Sequence, residues 1–105
     1  MESGKAIFRA LADDTRLKIL EMLREGELCA CRILEEFRIT QPTLSYHMKI
    51  LCDSGLVLSR RDGSWTRYRL NRPEVLKLAD WLYSLEEAGS DSDKGEEKDD
   101  GIYLA

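Results

Sequence analysis

The dipeptide Asp62-Gly63 lies between two short runs, Val57 to Arg61 and Trp65 to Leu70, rich in β-branched, aromatic and basic residues. An Asp-Gly pair in that setting is a strong hairpin signal. In the second run Trp65, Arg67 and Arg69 fall on one face, and Thr66, Tyr68 and Leu70 on the other. A hairpin is thereby set into a chain whose remaining patterning is helical.

The helical signals come in order. Lys5 to Leu11 is a short apolar-rich helix. Asp13 or Asp14 can cap the next, because an Asp side chain accepts from the free N–H groups of a first turn. That helix carries Leu17, Leu20 and Leu23 and stops near Gly26. The spacing of Ala30, Ile33, Leu34 and Phe37 predicts a third helix over about Leu28 to Phe37. After the tight connection Arg38-Ile39-Thr40, Thr40 caps a fourth helix in which Pro42 is tolerated, since no intrahelical donor is lost in a first turn. It runs to about Ser54, ends at Gly55 and buries Leu44, Met48 and Leu51. A last helix starts near Pro73. Its apolar positions, Val75 to Leu85, cover too broad a surface for one core, which suggests burial against a second subunit.

With 105 residues there is room for one domain, expected over residues 1–87. Residues 88–105 read as an acidic tail, disordered by composition, with Ile102-Tyr103-Leu104 at its end. No window approaches the roughly 18 apolar residues of a membrane span, and no apolar leader opens the sequence, so a cytoplasmic protein is expected. The net charge of −4 hides an uneven distribution. Residues 1–85 hold 14 Lys/Arg against 12 Asp/Glu, or +2; residues 86–105 hold 2 against 8, or −6. Within 38–72 the balance is 7 basic to 2 acidic, the footprint of a phosphate binder.

Two short helices joined by a tight turn and followed by a basic hairpin describe a winged helix-turn-helix, mainly α with a β-hairpin wing. The fourth helix would enter the major groove of double-stranded DNA, offering Gln41, Thr43, Ser45, Tyr46, His47 and Lys49 to base edges and phosphates. Arg60, Arg61, Arg67 and Arg69 of the wing would reach the backbone or a minor groove. Blander readings exist for each feature. The same helix pair with a hairpin occurs in protein-interaction modules, His47 lies beside the apolar stripe and could pack there, and wing arginines could form a solvated face.

The resemblance becomes specific in four separated stretches: Leu11-Ala12-Asp13-Asp14-Thr15-Arg16-Leu17 with Ile19-Leu20, then Glu27-Leu28-Cys29-Ala30-Cys31, then Gln41-Pro42-Thr43-Leu44-Ser45-Tyr46-His47-Met48, then Ser54-Gly55-Leu56-Val57. In that order they resemble the ArsR/SmtB family of metal-responsive repressors over about residues 6 to 85. The resemblance implies a homodimer formed through the first and last helices. It also implies an effector-free dimer on a palindromic operator, released when the effector binds.

Within that family the Leu-Cys-x-Cys run resembles the As(III) or Sb(III) site of arsenical repressors, where a third cysteine follows three residues after the second. Leu34 stands there in this chain. Cys52 is the only other thiol, so it is a candidate third ligand beside Cys29 and Cys31 or an inert core residue. A partner-chain thiol, a small thiol or water are the other candidates. Thiolate ligation suits soft acceptors such as As(III), Sb(III), Cd(II), Pb(II) or Cu(I). Zinc would want four ligands, and His47 is the sole histidine. On a regular helix Cys29 and Cys31 would diverge by roughly 200°, so one ion could hold both only by unwinding the helix start. A redox switch based on the pair is the alternative to an ion site. No Gly-rich phosphate loop or nucleophile–base constellation is present, so neither an enzyme nor a small-molecule substrate is expected, and no cofactor is expected for DNA binding.

Overall fold

Capping chemistry sets the helix boundaries. In the computed structural model, which describes residues 4–90, the elements run in the order α1 (Gly4–Leu11), α2 (Asp14–Leu23), β1 (Leu28–Cys29), α3 (Ala30–Leu34), α4 (Gln41–Asp53), β2 (Val57–Asp62), β3 (Trp65–Leu70) and α5 (Arg72–Ser90). Asp13 is extended, and its carboxylate accepts from the backbone N–H of Arg16 at 3.1 Å, which starts α2. Thr40 caps α4 by accepting from the N–H of Thr43 at 3.3 Å, with Pro42 in the first turn. Gly55 follows α4 at φ +89°, a backbone conformation in which a Cβ would be strained.

The core lies where the helical stripes meet the base of the hairpin. Ile7 and Ala10 come from α1, Ile19 and Leu23 from α2, Ile33 from α3, and Leu44, Met48 and Leu51 from α4. Leu56 and Val57 lead into β2, and all ten are at most 2% exposed. Full burial of an aliphatic side chain of this kind contributes about 1.5–3 kcal/mol. This core holds α4 from below and leaves its outer face to solvent.

Two expectations need correction. The third helix is Ala30–Leu34, five residues, rather than Leu28 to Phe37. Leu28 and Cys29 instead pair antiparallel with β3, Leu28 opposite Tyr68 and Cys29 opposite Arg67, giving a sheet of order β1-β3-β2. Ladder bonds to a strand brought from forty residues away override the local helical pattern, and Phe37 falls in the turn beyond α3. The hairpin turn is also displaced by one residue. Asp62 pairs with Trp65, so the central residues are Gly63 and Ser64, and Gly63 takes φ +67°. A primed hairpin turn needs positive φ at its first central position, and glycine supplies it without strain.

The chain divides after Val75 into two compact units. In the second, Leu76, Leu82, Tyr83 and Leu85 of α5 are exposed. The backbone of α5 continues to Ser90, past the boundary expected at 87. The expected tail from 91 onward, with Ile102-Tyr103-Leu104, lies outside the described residues. Among the described residues no helix is long and apolar enough to cross a membrane.

Candidate functional site

The thiol pair sits at the junction of β1 and α3. Cys29 ends the strand with φ −70° and ψ 144° and caps α3, its sulfur accepting from the N–H of Cys31 at 3.2 Å. The Cα atoms are 5.2 Å apart and the two sulfurs are within bonding distance of each other. The expected divergence of the two side chains therefore does not occur: α3 begins at Ala30, only Cys31 is on it, and no unwinding is needed for the sulfurs to meet. Cys29 is 8% exposed, whereas Cys31 is half-buried and opens onto a groove.

Cys52 is held elsewhere. It lies in the last turn of α4, half-exposed, and burial pushes its thiol up while a hydrogen bond with Ser59 of β2 works in the opposite direction. Tyr68 is close enough for its phenol to be raised further by a Cys52 thiolate, after the larger effect of burial. Among the described residues no three His, Cys, Asp or Glu side chains converge on a common point. The donor set that the structure brings together is thus two sulfurs, and an acceptor needing more must take them from outside it.

The outer face of α4 presents Gln41, Thr43, Ser45, Tyr46 and Lys49, all exposed. The Thr43 hydroxyl accepts from the Thr40 hydroxyl at 3.0 Å, and Lys49 pairs with Asp53 at 3.0 Å in the open. His47 faces the other way. Its Nδ1 accepts from Nη1 of Arg16 at 3.0 Å and lies 3.9 Å from the Asp13 carboxylate. Arginine has no acceptor, so Nδ1 must offer its lone pair. Arg16 is itself 7% exposed and also donates to the carbonyls of Ala10, at 2.9 Å, and Arg9, at 3.2 Å. One guanidinium thus joins the end of α1 to the middle of α4. Sequence reasoning missed this role. The only signal was the position of Arg16 three residues after the Asp13 cap. The N–H of Arg16 also holds the Asp13 carboxyl below its ordinary range, with the Arg16 and His47 charges adding to it against a desolvation penalty.

On the wing, Arg60 and Arg67 are occupied. Arg60 grips Glu27 through two bonds, at 2.9 and 2.8 Å, and Arg67 donates to Asp62 at 2.6 Å. These contacts hold the carboxyls of Glu27 and Asp62 below their usual range. Glu27 immediately precedes β1, so the Arg60 bonds connect the wing to the strand that ends in Cys29, whereas the Arg67–Asp62 bond lies within the hairpin and Arg67 meets Cys29 through the strand ladder. Arg61 and Arg69 are exposed on the same hairpin. Arg61, Trp65 and Thr66 meet Gln41 and Ser45 of α4 and Cys31 of α3 around a groove of 350 Å³.

Comparison with known proteins gives consistent likenesses. The model of the arsR family of bacterial regulatory proteins matches residues 13–59, from the α2 cap to β2. The arsenical resistance operon repressor of Staphylococcus aureus is 54% identical over 65 residues, which cover 62% of this chain and only 62% of that protein. An uncharacterized HTH-type transcriptional regulator of Methanocaldococcus jannaschii is 41% identical over 85 residues, 77% of this chain and 96% of the relative. Among solved structures, a homodimeric winged helix-turn-helix DNA-binding domain of Mycobacterium bovis superposes with a TM-score of 0.66 at 28% identity, covering 82% of this chain and 80% of its own.

Proposed function

This chain belongs to the ArsR family of bacterial regulatory proteins, and on that premise we propose that it is a metalloid-responsive transcriptional repressor. It binds operator DNA as a homodimer, as the M. bovis domain is homodimeric, and it lets go when As(III) or Sb(III) is held by Cys29 and Cys31. In this reading α4 lies in the major groove with Gln41, Thr43, Ser45, Tyr46 and Lys49 at base edges and phosphates, and Arg61 and Arg69 approach the backbone. His47 acts by orienting α4 through Arg16. The protein works in the cytoplasm, where operator DNA and a reducing thiol pool coexist. No catalytic step is assigned to it.

One observation carries the reading: two converged sulfurs sit at the root of the wing. Thiolates suit the soft acceptors that arsenical repressors answer to. Cys29 shares a ladder with Arg67, and its neighbour Glu27 holds Arg60. A ligand that re-spaces the two sulfurs moves β1, and β1 is part of the wing sheet. A tenfold change in DNA affinity needs only about 1.4 kcal/mol of such coupling. Two tests apply. DNA binding should weaken steeply with added salt, as phosphate contacts demand. The reduced protein should retain arsenic from arsenite with loss of two reactive thiols; retention that survives Cys29→Ser with Cys31→Ser rejects the site.

A second reading is favoured by the sulfurs being within bonding distance as they stand: the pair could report thiol redox state rather than an ion. Release of DNA by oxidant alone, reversed by a reductant and without any metalloid, would select it. Cd(II) or Pb(II) as the acceptor is distinguished by which ion the reduced pair retains.

A further inference from the structure

Glu27 and Arg60 are 33 residues apart in sequence and belong to opposite edges of the wing sheet, yet two hydrogen bonds, at 2.9 and 2.8 Å, join their side chains. We propose that this pair is the tie through which movement of β1 reaches the DNA-reading hairpin, so that Glu27 and Arg60 set how far the effector loosens the operator. The inference rests on the reading that an ion held by Cys29 and Cys31 moves β1, and it names the positioning residues that pass the movement on.

The sheet is made of two unequal parts. β2 and β3 pair along all six residues of each, from Val57 opposite Leu70 to Asp62 opposite Trp65, and act as one hairpin. β1 has two residues, and its ladder to β3 is only Leu28 opposite Tyr68 and Cys29 opposite Arg67. So short a ladder can shift while the hairpin stays whole. The order β1-β3-β2 puts β2 two strand spacings from β1, about 10 Å, so the two are not ladder partners. The Glu27–Arg60 fork crosses that distance over β3. Two parallel bonds between a guanidinium and a carboxylate fix direction as well as distance, so a shift of Glu27 draws Arg60 with it.

Arg60 is placed to hand the movement on. Successive residues of a strand point to opposite faces, so Arg61 turns away from the fork and lines the groove with Gln41 and Ser45 of α4. A pull on Arg60 therefore re-aims a residue on the DNA side of the wing. The fold does not need the fork. The Arg60 side chain is 51% exposed, and ion pairs in the open add little to folding stability. The Arg60 hydrogen bonds hold the Glu27 carboxyl below its ordinary range against a smaller desolvation penalty, so the carboxylate is charged at neutral pH. Arg67 and Asp62, by contrast, are joined within the hairpin, where their bond does not reach β1.

The test compares reduced wild type with Glu27→Gln, Arg60→Lys and Asp62→Asn. Arsenite uptake is read by thiol counting, and operator affinity by anisotropy at fixed salt, with and without saturating arsenite. Arg60→Lys keeps the charge and loses the fork. Asp62→Asn, like Glu27→Gln, removes one carboxylate and frees one wing arginine, but it cuts nothing between β1 and β2. All four proteins should take up arsenite with loss of two thiols. Arsenite should weaken operator binding at least about tenfold for wild type and Asp62→Asn, and about threefold or less for Glu27→Gln and Arg60→Lys. The ratio is the readout, so a change in basal affinity does not enter it. A wild-type ratio in either Glu27→Gln or Arg60→Lys, or an equal loss in Asp62→Asn, overturns the tie while the thiol site stands. So does loss of thiol uptake in Glu27→Gln or Arg60→Lys, which would place the pair at the ion site. If wild type takes up no arsenite on its two thiols, or takes it up and stays on DNA, the arsenic reading itself fails and the tie falls with it.

Discussion

Nη1 of Arg16 donates to Nδ1 of His47 across 3.0 Å, and through this bond a buried cation at the start of α2 fixes the helix that carries the reading face. The guanidinium also closes the carbonyls of Arg9 and Ala10 at the end of α1. Arg16→Ala removes the guanidinium donor from His47 Nδ1 and from the Ala10 carbonyl, while the Arg9 carbonyl keeps the N–H of Ala12. Because hydrogen bonds to a charged group are worth about 1.5–3 kcal/mol, the variant should lose stability of that order in urea unfolding. His47→Ala should cost less stability but still weaken operator binding, with base preference unchanged, as checked by titrating operator variants.

Asp13 sets an acid limit. Its carboxyl is held low chiefly by the Arg16 N–H, so below the ordinary aspartate value the unfolded chain binds more protons than the folded one. Stability from this group is therefore complete above that value and is lost as pH falls through the depressed folded one. Asp13→Ala should cost about 1 kcal/mol at neutral pH, as a lost helix cap does, and should flatten the acid limb of a stability–pH profile.

The wing arginines should divide into two behaviours. Arg61 is exposed, so Arg61→Ala should weaken binding to all DNA sequences alike and lower the salt slope by about one. Arg60 is held by Glu27. Glu27→Gln should free it and remove a negative charge, so DNA affinity should rise several-fold at low salt and the slope should steepen. A fluorescence-anisotropy salt series on the three proteins checks both.

Much of this arrangement could be read from residue order. The Asp13 and Thr40 caps, the Leu44, Met48 and Leu51 stripe and the paired runs around Gly63 are local signals, and each element formed where its chemistry pointed. The thiol site was half legible. Cys29-Ala30-Cys31 marked the position, but helical spacing gave the wrong geometry, because a two-residue strand is too short to show alternation and depends on Arg67 and Tyr68 far along the chain. Arg16–His47 and Glu27–Arg60 are separated by 31 and 33 residues and have no local signature at all.

Cys52 should prove dispensable. Its thiol is half-buried beside Ser59 and is pushed up by burial, which disfavours the thiolate that binds soft ions. Cys52→Ser should keep both arsenic retention and induced release. Loss of either would mean that α4 rearranges to bring this thiol to the pair.

The most direct measurement is an arsenite titration of the reduced protein on its operator at fixed salt, followed by anisotropy, for wild type and for Cys29→Ser with Cys31→Ser. The account predicts that the wild type dissociates as arsenic binds its two thiols and that the double variant stays on DNA throughout. Release of the double variant at the same arsenite concentration would contradict it.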